Sequence, residues 1–217
     1  KLQHLSAKRI DCTEKLVEKA VSFKHALKHI CNDVDNAIHK GNGIIILSDR
    51  NISKNQVALP SLLVCSTVHN HLLKTQQRHK VSLVIESGEV FESHQVATLF
   101  GYGANAIYPY LAFITLNEGI KNGYFPNLTY QQATFNFIKA MDNGLLKIMS
   151  KLGIPTLRGY IGSEQFDILG LNQQVVSHYF KSNRSLIGGL SLKGIEREVL
   201  TFHQNAFGEE KPDSIFE

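Results

Sequence analysis

Polar and aromatic side chains stand where three apolar runs of the sequence end. Ligands in parallel α/β folds bind at the carboxyl ends of strands, so these side chains are the first candidates for a site. The candidates are Ser48, Asp49 and Arg50 after the first run, Glu86 and Ser87 after the second, and Tyr108 and Tyr110 in the third. Such residue types suit an anion or substrate clamp and general-base chemistry.

Two of these groups have a structural interpretation beside the functional one. Asp49 and Arg50 could clamp an anionic substrate, or they could form an ion pair that fastens the following loop. Glu86 could serve as a general base if it is desolvated, or it could accept backbone N–H groups of its turn. We favour the structural interpretation of both groups, because ion pairs at strand ends are common scaffolding.

Histidine pairs on the predicted helices do not predict a metal site. His69 and His71 are two residues apart, so on a helix they point about 200° apart and cannot share one ion. His25 and His29 share a helix face, but no third ligand stands near them in the sequence. We interpret this second pair as part of a solvated helix face.

Two glycine motifs have structural interpretations as well. Gly101-Tyr102-Gly103 is not a dinucleotide fingerprint, because its glycines end a predicted helix rather than open one. Ile187-Gly188-Gly189 could cradle a phosphate, but a structural turn is the favoured role. The sequence contains no nucleophile elbow, P-loop or HExxH, so its motifs alone identify no catalytic centre.

The elements that position the candidates alternate along the chain in the order typical of parallel α/β folds. We predict strands at 43–47, 81–85 and 106–112, with a short candidate at 154–157. Helices are predicted at 16–38, 61–74, 93–100, 129–152 and 192–207, the 129–152 segment being one long helix or two short ones broken near Asn143 and Gly144. The stretch from Val81 to Phe113 is therefore a βαβ unit with a right-handed crossover.

The predicted fold class is α/β, with a parallel sheet built from βαβ units. Too few strands are visible to close an eight-stranded barrel, so a partial or open (β/α) barrel-like sheet is the favoured architecture, and a doubly wound sheet is the alternative. We place a central α/β domain at 1–158, a junction segment at 159–208 and a linker tail at 209–217.

Composition argues against several classes of function. The 217 residues are 43% hydrophobic and carry a net charge of +4 from interleaved charges, which does not favour binding to nucleic acid or an anionic membrane. No apolar run approaches the roughly 20 residues of a membrane span and no signal peptide is visible, so we expect a cytoplasmic protein. Cys12, Cys31 and Cys65 form no CxxC pair and are expected to be reduced and buried.

Four ordered blocks of the sequence resemble the large subunit of glutamate synthase. They are GIIILSDR at 43–50, PSLLVCSTVHNHLL at 60–73, the unit at 81–113 and GLLKIMSKLG at 144–153. The later pieces FDILGL, VVSHYF, LIGGLSL and a helix ending FHQNAF continue the resemblance. The chain begins at Lys1 without a starting methionine, so we expect a processed product or a segment of a longer polypeptide.

The resemblance implies a central connecting segment of an enzyme that makes glutamate from glutamine, 2-oxoglutarate and a reductant. In that family an amidotransferase domain releases ammonia, which passes through an internal tunnel to an FMN-binding domain that also holds a 3Fe-4S cluster. This chain would link those two domains, help to wall the ammonia path, hold no cofactor itself and be inert alone. A free-standing α/β interaction or ligand-binding module descended from the same fold is the alternative.

Overall fold

The computed structural model describes residues 6–16, 20–181 and 185–208. The strands are β1 Ala7–Asp11, β2 Thr13–Lys15, β3 Ile44–Ser48, β4 Gln56–Ala58, β5 Ser82–Glu86, β6 Ala106–Tyr108, β7 Ile168–Leu171 and β8 Ser185–Leu190. The helices are α1 Phe23–His39, α2 Ser61–Lys74, α3 Ser93–Gly101, α4 Tyr110–Lys121, α5 Tyr130–Leu152, α6 Leu157–Tyr160, α7 Gln173–Tyr179 and α8 Leu192–Phe207, with a short 3-10 turn at Arg78–Lys80.

The central sheet has four parallel strands in the order β1-β3-β5-β6. Helices α1, α2 and α3 provide the three crossovers between them. The spatial order follows the chain order, whereas a doubly wound sheet reverses direction at a switch point. The structure therefore confirms a parallel α/β fold built from βαβ units, and its open sequential sheet is the barrel-like alternative rather than the doubly wound one.

The two faces of this sheet differ in burial. The face packed beneath the helices is apolar and buried; it carries Ile10, Ile45, Leu47, Leu83 and Ile85. Side chains alternate between the faces of a strand, so the other face carries the residues between these. There Arg9 and Tyr108 are exposed and Ile46 and Val84 are only half-buried. The sheet thus has one closed side and one open side.

Two smaller sheets flank the central one. Strands β2 and β4 pair antiparallel, while β7 and β8 pair in parallel around α7. The motif Ile187-Gly188-Gly189 lies inside β8, so the turn expected there is wrong. A side chain on Gly189 would collide with the backbone of Gly170 in the neighbouring strand, which explains why this close strand pair requires glycine.

The strand expected at 106–112 ends after three residues and is followed by helix α4. Pro109 stands between the two and cannot donate a backbone hydrogen bond to a sheet, but it fits the start of a helix. The apolar residues Tyr110 and Phe113 are three apart and are both buried, which is helical spacing. The apolar run of 106–112 therefore belongs to two elements.

Other predicted boundaries also shift for local reasons. The strand candidate at 154–157 is wrong: Thr156 caps the short helix α6 by accepting the Gly159 N–H at 3.2 Å. The 129–152 segment is one helix, and Gly144 does not break it. Because Gly144 has no side chain, α5 can approach Ser93 of α3 closely. The tail predicted at 209–217 lies outside the described residues.

Helix α1 begins at Phe23 and not at residue 16, although the predicted stretch 17–19 lies outside the described residues. The Phe23 N–H donates to the Glu196 carboxylate of α8 at 2.8 Å. A carboxylate at a helix N-terminus satisfies a backbone donor that has no partner within the helix. The start of α1 is thus stabilised by a residue far along the chain.

The guanidinium of Arg78 fastens the amino ends of β5 and β6. Its Nε donates to His69 Nδ1 at 3.0 Å, and its terminal nitrogens donate to the Val81 and Gly103 carbonyls and to Asn105 Oδ1 at 2.7–2.8 Å. Gly103 has φ +106° and lies so close to the His69 ring that a side chain would not fit. Burial, followed by the charge of Arg78, lowers the pKa of His69 to about 4.

We expect the free energy of unfolding to fall as the pH drops from 7 to 4.5, with His69 contributing about 2 kcal/mol of that loss. The unfolded chain binds a proton at His69 below about pH 6.5, whereas the folded chain does so only near pH 4, so the stability from neutral His69 is lost across this window. Urea unfolding at both pH values measures it. His69→Gln keeps an acceptor for Arg78 and should show the smaller pH dependence.

His25→Gln is the matched control, since His25 is exposed on α1 and this variant should keep the wild-type pH dependence. Equal pH dependence in His69→Gln and in the wild type would contradict the assignment.

Candidate functional site

The sequence-predicted site residues come together at one edge of the central sheet. Asp11, Ser48, Glu86 and Tyr108 are register partners across β1, β3, β5 and β6, so they form one row at the carboxyl ends of the strands. The remaining candidates follow this row directly in the chain: Asp49 and Arg50 after β3, Ser87 after β5 and Tyr110 after β6. The strand-end argument thus selected side chains that are neighbours in space.

The Glu86 carboxylate is the centre of a clamp. Its side chain is only 4% exposed, and its two oxygens accept hydrogen bonds from three side chains. Arg9 binds both oxygens through Nε and Nη2 at 3.0 and 3.3 Å, Arg50 Nε donates to Oε1 at 2.9 Å, and Ser48 Oγ donates to Oε2 at 2.6 Å. This carboxylate therefore joins three strands of the sheet.

Asp49 holds the turn after β5. Its carboxylate accepts the Ser87 hydroxyl at 2.7 Å and the Gly88 backbone N–H at 3.0 Å, and it is also bonded by the Tyr110 hydroxyl. Burial, and then the negative charge of Asp49, raise the pKa of Tyr110 above its usual value. Asp49 thus links the segment after β3 to the turn after β5 and to the first residue of α4.

The partners differ from those expected. Arg50 pairs with Glu86 and not with Asp49, and the backbone N–H of the turn is accepted by Asp49 and not by Glu86. The register explains the exchange: Ser48 and Glu86 face each other on the open side of the sheet, where Arg9 and Arg50 reach them. Asp49 lies one residue further and faces the turn.

The guanidinium of Arg50 packs against the rings of Tyr108 and Tyr110. Its guanidinium carbon lies 4.6 Å from the centre of the Tyr110 ring and 5.8 Å from that of Tyr108. Cation–π attraction of this kind is worth about 0.5–1 kcal/mol at exposed sites. The stacking fixes the direction of Arg50 and so the geometry of its bond to Glu86.

A cavity of about 310 Å³ lies beside the Asp49 turn, beneath helix α8. Its wall is largely apolar, and its lining residues include Ile52, Val57, Leu111, Val199 and Phe202. Asp49, Tyr110 and His203 supply polar groups; His203 is buried, and its Nε2 lies 3.3 Å from the Lys54 carbonyl. A small, mostly apolar molecule would fit such a cavity.

The arrangement is suited to holding strand ends together rather than to open catalysis. The carboxylates of Glu86 and Asp49 both have their oxygens occupied by internal donors. A general base needs a free lone pair within reach of the proton it removes. Arg9 and His203 were missed from the sequence, since Arg9 lies in a strand with one buried residue and His203 has no nearby chemical partner along the chain.

The described residues do not fit a metal ion or an iron-sulfur cluster. In the ranges 6–16, 20–181 and 185–208 no three His, Cys, Asp or Glu side chains are placed to share an ion. His69 bonds Arg78 while His71 bonds Asp35, and His25 and His29 are exposed neighbours with ring centres 4.5 Å apart. Cys12, Cys31 and Cys65 are free and buried, and burial raises the pKa of Cys31 to about 11 and of Cys65 to about 12.

Comparison with known proteins identifies the family. The glutamate synthase central domain family matches residues 1–172. The chain belongs to this family. It is 39% identical over 222 residues to the ferredoxin-dependent glutamate synthase of Pyropia yezoensis, an alignment that covers 97% of this chain and 14% of that protein.

Further relatives are named for other electron donors. The glutamate synthase (NADH) of Schizosaccharomyces pombe is 37% identical across 91% of this chain, and the glutamate synthase (NADPH) large chain of Bacillus subtilis is 36% identical across 85%. This chain covers only 9% and 12% of those proteins. The chain therefore corresponds to one domain's length of much longer polypeptides.

A weaker likeness exists to a solved structure of DHODH from Eimeria tenella in complex with ferulenol. It has a TM-score of 0.47 at 14% identity and covers 73% of this chain and 38% of that one.

Throughout the part of the chain that the structure describes, the helices are too short or too polar to span a membrane.

We expect removal of the two cations to destabilise the fold more than removal of the anion they share. Glu86→Gln leaves Arg9 and Arg50, which are 58% and 41% exposed and stay solvated, so it should cost about 1–2 kcal/mol. The double variant Arg9→Met with Arg50→Met leaves a buried carboxylate unpaired and should cost about 3 kcal/mol or more. Urea unfolding at pH 7 measures both.

Arg158→Met is the control, because Arg158 is exposed on α6 and should change stability little. A larger loss in Glu86→Gln than in the double arginine variant would contradict the clamp.

Proposed function

We propose that this chain is the central connecting segment of a glutamate synthase, between an amidotransferase domain and an FMN-binding domain. The parent enzyme would convert glutamine, 2-oxoglutarate and reductant into two molecules of glutamate. The chain would hold the two domains in register and help to wall the path of ammonia between them, and it would be inert alone.

This proposal rests on one observation: relatives align with most of this chain, yet this chain covers only a small part of each relative's length. Relatives at 36–39% identity align with 85–97% of this chain, yet the chain covers only 9–14% of each of them. Identity at this level over nearly the whole length supports the same fold in the same place within a longer protein. A segment of this kind contributes position and surface to the parent enzyme.

The geometry supports a connecting role as well. Glu86 and Asp49, the strand-end carboxylates, are engaged with internal donors, which suits a scaffold. Large apolar side chains are exposed on β7 and β8, and they are Leu169, Leu186, Ile187 and Leu190. Exposed large apolar side chains concentrated on one pair of strands support an interface with another domain.

The electron donor is proposed to be selected elsewhere in the parent enzyme. Relatives named for ferredoxin, NADH and NADPH all match this chain at 36–39% identity. FMN and a 3Fe-4S cluster are proposed for the parent, held outside this segment. The cytoplasmic location expected from the sequence stays a prediction; the relative from Oryza sativa is named as chloroplastic.

A free-standing α/β ligand-binding module is the second candidate. The cavity of about 310 Å³ beside Asp49, Tyr110 and His203 favours it, since pockets of this size hold small molecules. The mass of the natural polypeptide, read by immunoblot, separates the two candidates. A band near the 24.3 kDa of this chain would favour the module, and a band several times larger would favour the connecting segment.

We expect a charge introduced on β8 to uncouple glutamine hydrolysis from the use of ammonia in the parent enzyme. Ile187→Asp places a carboxylate on β8 at a side chain that is 63% exposed in this chain. If another domain covers that strand, an unpaired buried charge there costs several kcal/mol and weakens the docking. Glutamine consumed per glutamate formed should then rise from the coupled one-to-two toward one-to-one, the limit reached when the released ammonia is not used. Both amino acids are measured together during turnover.

Leu73→Asp on α2 is the matched control, since Leu73 is also an exposed apolar residue but lies outside β7 and β8. An unchanged ratio in Ile187→Asp would contradict docking at this strand. Stoichiometric FMN and turnover in the isolated 217-residue chain would contradict the connecting role itself.

A further inference from the structure

A basic groove runs between helices α1 and α2 and is roofed by α7. Its volume is about 520 Å³. Four lysines line it, and they are Lys24 and Lys28 of α1, Lys74 of α2 and Lys181 after α7. We propose that this groove binds a small organic molecule carrying several negative charges, of the class of nucleotides and other phosphorylated metabolites.

The lysines converge because of helical spacing. Lys24, Lys28 and Asn32 are four residues apart along α1, and Thr67, His71 and Lys74 recur at steps of three and four along α2. Residues at such spacing share one helix face. Two adjacent helices therefore present parallel polar stripes to the same groove.

Buried hydrogen bonds hold the C-terminal end of α7 against α2, beside the groove. The Asn70 side-chain amide donates to the Tyr179 carbonyl at 3.1 Å, and the Ser66 hydroxyl donates to the same carbonyl at 2.5 Å. Ser66 and Asn70 of α2 are both buried. The end of α7, with His178 and Tyr179, is thus held over the groove in a defined position.

The lining of the groove contains no carboxylate among the described residues. The nearby acids have other partners: Asp35 bonds His71 and Gln77, and Glu196 bonds the Phe23 N–H. The four ammonium groups therefore have no fixed counter-charge in the groove itself.

A second cavity of about 340 Å³ shares Lys24, His178 and Tyr179 with the groove and adds Lys193 at the start of α8. Together the two cavities have five lysines and no acid in their lining. Their formal charge of +5 exceeds the net +4 of the whole chain, so the rest of the molecule is close to neutral. The two cavities thus form one patch whose lining carries a single sign of charge.

The form of the groove favours a small anion over a polymer. Its volume lies in the range of about 300–1,000 Å³ that is usual for small-molecule sites. Single-stranded nucleic acid binds along a row of exposed aromatic faces on which successive bases stack. Among the lining rings of this groove Tyr179 is buried, His71 is half-buried against Asp35, and His178 alone is exposed.

Lysine ammonium groups bind phosphate as point charges, and the side-chain amide of Asn32 adds a neutral donor. The hydroxyls of Thr67 and Ser177 donate to the Leu63 and Gln174 carbonyls within their own helices.

The test is equilibrium dialysis of labelled pyrophosphate against the full-length protein that carries this chain, at about 50 mM salt where screening is weak. The variant combines Lys28→Gln with Lys74→Gln, one lysine from each helix. We expect saturable binding whose Kd rises about tenfold in this variant, since two charge-assisted contacts are lost. Adenosine, which lacks phosphate, should not compete, and ATP should.

The control combines Lys139→Gln with Lys147→Gln, two exposed lysines of α5 that lie outside the groove. It removes the same net charge and should leave Kd unchanged. An equal rise in Kd in both double variants would show a general charge effect and overturn the proposal. Absence of saturable pyrophosphate binding in the wild type, or competition by adenosine as strong as that by ATP, would overturn it too.

Discussion

The rest of this structure depends on one buried carboxylate, Glu86, which two guanidinium groups share. Arg9 approaches from β1 and Arg50 from the end of β3, so three neighbouring strands meet at one side chain. Both arginines are largely exposed, and the attraction is therefore screened by solvent. The loss expected on removing both arginines is therefore mainly the cost of leaving the Glu86 carboxylate buried and unpaired. Stacking on Tyr110 then gives Arg50 a single direction.

The opposite edge of the sheet is fastened by different chemistry. There Arg78 donates to two carbonyl oxygens and to Asn105, whose Oδ1 also accepts the Leu83 backbone N–H at 2.9 Å. His69 completes this network as a neutral acceptor, which requires its low pKa. Strands β5 and β6 are thus tied at both ends. Independent ties at the two edges restrain the movement of β5 relative to β6, and the proposed connecting role would require such restraint.

Sequence patterns predicted the elements that have a uniform apolar run or one clear apolar stripe. Helix α2 has the predicted bounds, and β3 and β5 lie within one residue of theirs, because uniform apolar runs and a proline at a helix start have few alternatives. Strand β1 was missed because only Ile10 in it is buried. The start of α1 depends on Glu196, and a contact over that separation leaves no local signal.

In the candidate site, too, local sequence predicts part of the arrangement, and contacts between residues far apart in the chain decide the rest. The strand-end rule selects the correct edge, because parallel strands bring their carboxyl ends together whatever the sequence between them. The rule cannot predict which side chains pair at that edge. Arg9 lies in a strand without an apolar pattern, yet both Arg9 and Arg50 form ion pairs with Glu86.

The pairing decides what the edge can do. A ligand that bound Glu86 directly would have to displace two cations and the Ser48 hydroxyl, leaving these donors without their acceptor. That cost opposes use of the edge as an open site, whereas the lysine groove between α1 and α2 has no internal counter-charge among its described lining residues. The proposed connecting role and the proposed anion site are therefore compatible, because the strand ends are closed while the lysines lie on the helical side.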